Sequence, residues 1–305
     1  MYGGRLEANF HVVVGQVSSI KNIGRCIKSA GLDLGNITLE PLASADAVLS
    51  QEEKEAGVAL IDIGGGTTDI TIFKDGIIRH TAVIPFGGNT VTKDIREGCT
   101  VMMDQAEKLK VKFGSAMAEE IYDNRIITIP GFKGRDHKEI SEKNLSRIIQ
   151  ARVEEIFDYV LWEIKRSGFD NKLIAGIVLT GGGSLLKHIN ILAESHTGMA
   201  ARVGKPVEHL AHGYSPQLAS PIYATAVGLL KNTIENMEDR QFIAEVEVNN
   251  EKSTPAVNDQ HIEEEYHEEE EYEDEVEEKQ KGPGWFDKAF TWTKEFFEAT
   301  PDSEF

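Results

Sequence analysis

The sequence of this 305-residue chain predicts a mixed α/β fold, and three stretches carry that prediction. Residues 58–73 read VALIDIGGGTTDITIF, which is two apolar strand patterns joined by a glycine turn. Residues 172–194 indicate a strand, a second glycine turn and a helix. Between them, a long helical pattern runs from Glu142 to Gly168. Strands that alternate with helices are typical of α/β proteins.

The first part of the chain predicts strands and helices in this order. Residues 5–15 alternate apolar and other side chains, which predicts a strand that begins almost at the first residue. A helical pattern then ends at Gly31, and residues 36–49 predict a strand that runs into a helix. Residues 58–84 form a series of strands with turns at GGGTT and KDG.

The tract that follows is predicted to be mostly helical from Thr92 to about Ala118. Residues 119–140 mix a short strand pattern with a glycine-containing loop, and they precede the long helix. An apolar helix over about 215–237 closes the ordered part of the chain.

Charge and cysteine content exclude several classes of protein. The net charge is -19, but 16 acidic and 3 basic residues fall in 245–281, so the body is nearly neutral and gives no case for nucleic-acid binding. The two cysteines, Cys26 and Cys99, suggest neither a disulfide framework nor a zinc site and fit a reducing cytoplasm. The first residues do not resemble a signal peptide, and the sequence contains no run of 18 apolar residues.

The last sixty residues predict an acidic disordered linker over 245–284, followed by an amphipathic helix over 285–299. One face of that helix is aromatic and suits the interfacial layer of a bilayer. The residues predicted to insert into lipid are Trp285, Phe286, Phe290, Trp292, Phe296 and Phe297. The alternatives are a helix that docks onto its own body and a solubilising tail.

The first glycine turn has the composition of a phosphate-binding loop. The backbone N–H groups of Gly64, Gly65 and Gly66 can form an anion-binding nest, and the hydroxyls of Thr67 and Thr68 can donate to phosphate oxygens. Asp62, at the end of the preceding strand, can hold a hydrated Mg²⁺. A glycine-rich connection without a ligand is the alternative for this turn and for the second one.

The second turn predicts a place for the rest of a nucleotide. Gly181, Gly182 and Gly183 let a ligand lie on the backbone, and the helix after Ser184 directs its positive end at phosphates. Neither turn is a Walker loop or a GxGxxG motif.

A charged pair adds a third element to the predicted nucleotide site. Glu107 and Lys110 are three residues apart on one helical face, so that the carboxylate can accept from ribose hydroxyls while the lysine stem covers the base. A solvated ion pair is the alternative.

These motifs resemble those of the actin-like ATPase superfamily, which includes actin, the Hsp70 chaperones, MreB and sugar kinases. LIDIGGGTTDITIF is similar to its second phosphate motif, GIVLTGGGSLL to its adenosine motif, and SPIYATAVGLL and LEPLASADAVL to its two connecting segments. The resemblance implies an actin-like ATPase fold with ribonuclease H-like subdomains, ATP and Mg²⁺ as cofactors, and Glu40 as the general base that orients water. An exposed glutamate before a proline turn is the alternative for Glu40.

The body, the acidic linker and the terminal helix together resemble the FtsA family of bacterial cell-division proteins. The superfamily's first phosphate loop is not found before residue 62, so the resemblance implies a form truncated at its N-terminus with at most weak ATPase activity. The expected domains are the end of the inserted subdomain (1–14), a remnant of the first half (15–56) and the second half (57–244).

The same resemblance implies a function and its partners. Family members bind the C-terminal peptide of FtsZ on a subdomain that corresponds to about 100–173, where Arg152 and Glu155 match positions near the contact. The expected protein is an adapter that self-associates into filaments and anchors FtsZ to the cytoplasmic face of the inner membrane at the division septum. The alternatives are an Hsp70-like or kinase-like ATPase with the same cleft, an inactive fragment, and a solvated helix face for Arg152 and Glu155.

Overall fold

The computed structural model describes residue 7, residues 10–131, 136–207 and 213–235, and residue 237. The acidic linker and the amphipathic helix predicted over 245–299 lie outside the described residues, as do most of residues 1–9.

The described chain forms a five-stranded sheet and a separate two-stranded sheet, with helices around them. The strands are β1 (Val58–Ile63), β2 (Thr68–Lys74), β3 (Ile77–Ile84), β4 (Ile126–Ile129), β5 (Lys138–Ser141), β6 (Ile177–Thr180) and β7 (Ala201–Val203). The helices are α1 (Val17–Ser29), α2 (Glu40–Val48), α3 (Gln51–Ala56), α4 (Gly88–Cys99), α5 (Met103–Phe113), α6 (Glu142–Ser167) and α7 (Ile189–Thr197), and residues 224–235 are also helical.

The larger sheet has the order β3-β2-β1-β6-β7, with β1 at its centre. β1 is antiparallel to β2 and parallel to β6, and all six of its residues are buried, because helices cover both of its faces. The β2–β3 hairpin turns at Asp75 and Gly76, whose φ angles of 58° and 70° are the positive values that a tight two-residue turn requires.

The long helix α6 covers one face of this sheet. Its N-cap is Ser141, whose side chain accepts a hydrogen bond from the backbone N–H of Asn144, and its C-cap is Gly168, which has a left-handed conformation. Its apolar side packs into the main core together with β1, β2, β6, α4 and α7. The fully buried members from α6 include Leu145, Ile149, Phe157 and Val160.

The opposite face of the sheet is covered by α2 and by the helix over 224–235. A second core cluster joins these two helices to β1 and β6, and its members include Ala45, Val48, Leu60, Val178 and Ala224. The helices come into backbone contact at Gly228, where a Cβ atom would lie 1.8 Å from the carbonyl oxygen of Ala43. Only glycine fits that crossing.

Two predicted strands are absent from the described residues. Residues 10–16 are exposed and have no regular structure, and the same holds for most of residues 31–39. A strand needs a neighbour for its backbone groups, and neither segment pairs with another strand in the described part of the chain. The contact of 3.2 Å between the His11 ring and the Thr81 hydroxyl is a side-chain contact and does not replace a ladder.

The closing helix begins later than residue 215. Two short 3₁₀ turns, Pro216–Ala219 and Pro221–Tyr223, come before the helix over 224–235. Each turn has proline at its start, where the missing N–H costs nothing. In an α-helix that began at Pro216, however, Pro221 would lie in the interior, where it lacks the N–H donor and clashes with the preceding turn.

No helix among the described residues has both the length and the apolar character that a membrane crossing needs.

The helix crossing at Gly228 generates a stability prediction. Gly228→Ala should lower the free energy of unfolding by several kcal/mol, since the new methyl group overlaps the Ala43 carbonyl. Gly24→Ala is the matched control, because Gly24 also lies within a helix but its Cβ would meet only Leu34, at 3.9 Å. That control should be neutral or gain up to about 1 kcal/mol. Urea denaturation measures both changes, and equal effects would contradict the prediction.

Candidate functional site

The two glycine turns meet at one edge of the large sheet. Asp62 is paired with Thr180 in the parallel register of β1 and β6, so both turns begin at the same level. A Cβ atom at Gly181 would lie 2.3 Å from Asp62 Oδ1, and one at Gly183 would lie 2.2 Å from Ile63 Cγ2. Glycine at both positions is therefore what lets the second turn pack against the first.

Two further glycines, Gly87 and Gly88, lie at the same site. The backbone N–H of Gly88 donates to the Gly64 carbonyl at 2.9 Å, and that of Asn89 donates to the Gly65 carbonyl at 2.7 Å. At Gly87, a Cβ would lie 2.6 Å from the Gly64 oxygen. Sequence analysis did not assign this pair to the site, although two glycines directly before a helical pattern are a usable signal.

These turns surround a cavity of about 420 Å³, a size typical of sites for small ligands. Six of the residues predicted to bind nucleotide line it: Gly64, Gly65, Glu107, Lys110, Gly182 and Gly183. Asn89, Leu185, Leu186, Lys187 and Ile222 add an amide, a cation and apolar surface.

Glu107 and Lys110 form an ion pair of 2.8 Å on the wall of this cavity. Lys110 Nζ also donates to the Gly88 carbonyl at 2.9 Å and to the Thr92 hydroxyl at 2.8 Å, while Thr92 Oγ1 lies 2.6 Å from Glu107 Oε2. Burial alone raises the pKa of Glu107, but the hydrogen bonds from Lys110 and Thr92 outweigh it and the net pKa is lowered. Glu107 is therefore an ionised acceptor facing the cavity.

Two of the residues predicted to bind nucleotide, Thr68 and Ser184, have hydroxyls that are already engaged with the backbone. Thr68 is fully buried and donates to the Phe86 carbonyl at 2.8 Å, and Ser184 donates to the Gly181 carbonyl at 2.8 Å. Each hydroxyl has one proton, so neither side chain is free to donate to a phosphate in this arrangement. Thr67 is exposed at the turn and its hydroxyl donates to Asp69 Oδ2 at 3.2 Å, and Gly66 beside it has open space.

Three carboxylates lie around the first turn, and each has a raised pKa. Burial raises the pKa of Asp62, which is 6% exposed, and that of Asp69. The pKa of Glu40 is raised first by partial burial and then by repulsion from Asp62 and Asp69. Glu40 and Asp69 line a neighbouring groove of about 1040 Å³, outside the cavity that contains the glycines.

The donor set fits a hydrated cation better than a fully ligated one. Among the described residues, no three His, Cys, Asp or Glu side chains are placed to ligate one ion together. Thr180 is paired with Asp62 in the sheet, and its hydroxyl oxygen is buried without a hydrogen-bond partner in the described structure. One carboxylate with nearby hydroxyls is the kind of site in which Mg²⁺ keeps most of its waters.

Arg152 and Glu155 lie away from this cavity, on helix α6. Arg152 donates to both carboxylate oxygens of Asp94 on α4 and also pairs with Glu155. The three side chains line a surface depression together with Ile148 and Ala151. The arginine predicted to bind a partner is thus held by two carboxylates of its own chain.

Solved structures with a similar architecture are actin-like proteins. MreB5 of Spiroplasma citri bound to ADP is 21% identical with a TM-score of 0.61, over 73% of this chain and 68% of that one. The PilM-PilN type IV pilus biogenesis complex is 19% identical with a TM-score of 0.53, over 69% and 56%. The described part of the chain thus has an actin-like ATPase fold.

Sequence relatives are cell-division proteins. FtsA of Neisseria meningitidis serogroup B is 42% identical over 231 residues, which are 75% of this chain and 55% of that protein. FtsA of Escherichia coli K12 is 33% identical over 235 residues, with 75% and 56% covered. The chain therefore spans about half the length of the relatives it matches.

The family model described as "Cell division protein FtsA" matches residues 59–228, more than half of the chain and both glycine turns. The chain belongs to the FtsA family.

Proposed function

We propose that this chain binds ATP with Mg²⁺, self-associates through its actin-like body and anchors FtsZ filaments to the cytoplasmic face of the inner membrane at the division septum. The observation that carries the nucleotide part is the convergence of the Gly64–Gly65 pair, the Gly182–Gly183 pair, Gly88 and the Glu107–Lys110 ion pair on one 420 Å³ cavity. Family membership supports the cell-division part.

The residues of the cavity divide the work of holding a nucleotide. Gly64, Gly65, Gly182 and Gly183 offer backbone surface without side chains, so phosphates can approach the main chain closely. The ionised Glu107 accepts hydrogen bonds from ribose hydroxyls. We assign Asp62 and Thr67 to the phosphate end, where Mg²⁺ held by Asp62 would neutralise phosphate charge. The Thr67 hydroxyl would have to leave Asp69 in order to donate to a phosphate oxygen. MreB5 has been solved with ADP and with AMPPNP, which supports this assignment by fold.

The site supports binding more than turnover. Glu40, the residue proposed to orient water, is exposed and lines the neighbouring groove rather than the glycine cavity. We therefore propose at most weak ATPase activity with Glu40 as its general base. An Hsp70-like or kinase-like ATPase is the second candidate, and multiple turnover of ATP by the chain without lipid or FtsZ would favour it.

Membrane attachment is proposed from the sequence of residues 285–299. Large apolar side chains gain roughly 1.5 to 3 kcal/mol each on full burial, and ordering of the helix cancels part of that gain. A single helix therefore holds lipid weakly, whereas a filament that presents many copies holds it through avidity. Self-association and membrane binding support each other in this proposal.

Removing the charge of Asp62 should separate stability from ligand binding. Burial raises the pKa of Asp62 in the folded state, so the folded chain favours the protonated carboxyl. The stability that Asp62 contributes is therefore present below its unfolded-state pKa and is lost as the pH rises through its folded-state pKa. At neutral pH, Asp62→Asn should therefore raise the midpoint of thermal unfolding without ligand, since the amide still accepts from Ser44. The variant should lose the additional rise that ATP with Mg²⁺ gives the unmodified chain.

The thermal-shift measurement needs one control. Asp75→Asn changes an exposed carboxylate in the β2–β3 turn, where asparagine tolerates the φ of 58°, and should keep the ligand response. At about 100 times Kd, a ligand adds about 2.7 kcal/mol of stability. A full Mg²⁺-dependent response in Asp62→Asn would contradict the assignment of Asp62.

Flotation of liposomes with FtsZ tests the adapter proposal. FtsZ should float with the whole chain and not with a chain stopped at Lys281. Within the helix, Phe290→Glu should abolish flotation because it places a charge on the lipid-facing side, whereas Thr291→Glu on the polar side should not. If the whole chain floats without FtsZ, the partner assignment fails, and if neither chain floats, the membrane assignment fails.

The Arg152 ion pair allows a test with two opposite outcomes. If Arg152 docks an acidic FtsZ peptide, Asp94 competes with that peptide for the guanidinium. Asp94→Asn should then strengthen peptide binding by about 3- to 10-fold, and Arg152→Ala should weaken it. Fluorescence anisotropy with the C-terminal FtsZ peptide measures both affinities. The control is Asp158→Asn, which changes an exposed carboxylate on α6 that does not contact Arg152. Weaker binding by Asp94→Asn would show that Arg152 acts as a structural clamp.

A further inference from the structure

A line of three hydrogen-bonding groups runs from Asp62 away from the cavity. Ser44 Oγ donates to Asp62 Oδ2 at 2.8 Å, and Thr225 Oγ1 lies 2.9 Å from Ser44 Oγ. Ser44 is fully buried. The three residues come from α2, β1 and the helix over 224–235, so the chain of bonds joins three separate elements.

Counting protons gives the direction of these bonds. An ionised carboxylate only accepts, so the single hydroxyl proton of Ser44 goes to Asp62. Thr225 must then be the donor to Ser44. Both dipoles are aligned toward the negative charge, and an ionised acceptor at the end of such a chain strengthens each bond in it.

The other carboxylate oxygen of Asp62 is confined by the second glycine turn. Oδ1 lies where a Cβ at Gly181 would come within 2.3 Å. Ser44 on one side and the turn on the other leave the Asp62 carboxylate a narrow range of orientations. A group that holds a hydrated cation needs this kind of fixed orientation.

The two helices that carry the hydroxyls are joined at two further points. Gly228 lies against the carbonyl oxygen of Ala43, and Lys231 Nζ donates to the carbonyl oxygen of Asp46 at 3.1 Å. Thr225, Gly228 and Lys231 are spaced by three residues and lie along one side of their helix. The bonds of Ser44 and Thr225 therefore connect Asp62 to two helices that are also joined to each other.

We infer that Ser44 and Thr225 are positioning residues for the magnesium nucleotide: they orient Asp62 and couple its occupancy to the pair of helices formed by α2 and residues 224–235. This inference rests on the proposed nucleotide site. Linkage is reciprocal. If the bound ligand stabilises the contact between the two helices, a chain in which that contact is intact must bind the ligand more tightly by the same factor.

The test compares nucleotide affinity with and without magnesium in hydroxyl variants. Thr225→Val keeps the shape of the side chain and removes the donor, and Thr225→Ser keeps the donor. We expect Thr225→Val to lower ATP affinity by about 3- to 10-fold in Mg²⁺ and to leave it unchanged in EDTA, with Thr225→Ser close to the unmodified chain. Thr233→Val is the control, because that exposed hydroxyl bonds to Leu229 in the same helix.

Hydrogen exchange gives a second readout that does not depend on activity. ATP with Mg²⁺ should slow amide exchange over 43–48 and 225–231 in the unmodified chain and in Thr225→Ser, and this slowing should be lost in Thr225→Val.

Three outcomes would overturn the inference. Equal losses of affinity in Mg²⁺ and in EDTA would mean that the hydroxyls only stabilise the fold. No difference between Thr225→Val and Thr225→Ser would mean that the donor is not used. If the unmodified chain binds no nucleotide in either condition, the proposed function itself fails, and that result is distinct from the other two.

Discussion

The parallel pairing of β1 with β6 is the constraint on which the rest of the structure depends. It places Asp62 beside Thr180 and so brings together two turns that are far apart in the sequence. β1 is buried on both faces, which requires a helical layer on each side of the sheet. One layer contains α6, and the other contains α2 and the helix over 224–235. The meeting of the two glycine turns at the cavity is a consequence of that single register.

Local patterns in the sequence predicted the centre of this fold well. The β1–β2 turn, the β2–β3 hairpin and the ends of α6 follow from apolar periodicity, glycine positions and a serine cap. Six of the predicted nucleotide-binding residues line one cavity. Turns and helix ends are decided by neighbours in the chain, and a single sequence contains that information, whereas the meeting of the two glycine turns depends on the pairing of β1 with β6.

Features decided by distant partners were not predicted. The strand expected over 5–15 is absent from residues 10–15 because a strand depends on a neighbour, which alternation of side chains does not supply. The hydroxyl of Thr68 bonds to the Phe86 carbonyl, which lies 18 residues further along the chain. The carboxylate of Asp94 that holds Arg152 comes from another helix, and no spacing rule in the sequence links the two.

The contact of Gly228 with Ala43 limits how the helices on that face can move. Backbone lies against backbone there, so no flexible side chain is available to absorb a displacement. Sliding by one residue would bring Val227 or Leu229 against the Ala43 carbonyl, and both side chains are too large for the space. Rotation about the contact would stretch the Ser44–Thr225 and Asp46–Lys231 hydrogen bonds, which lie on either side of it. The backbone contact therefore restricts sliding of the two helices, and the flanking hydrogen bonds oppose their rotation.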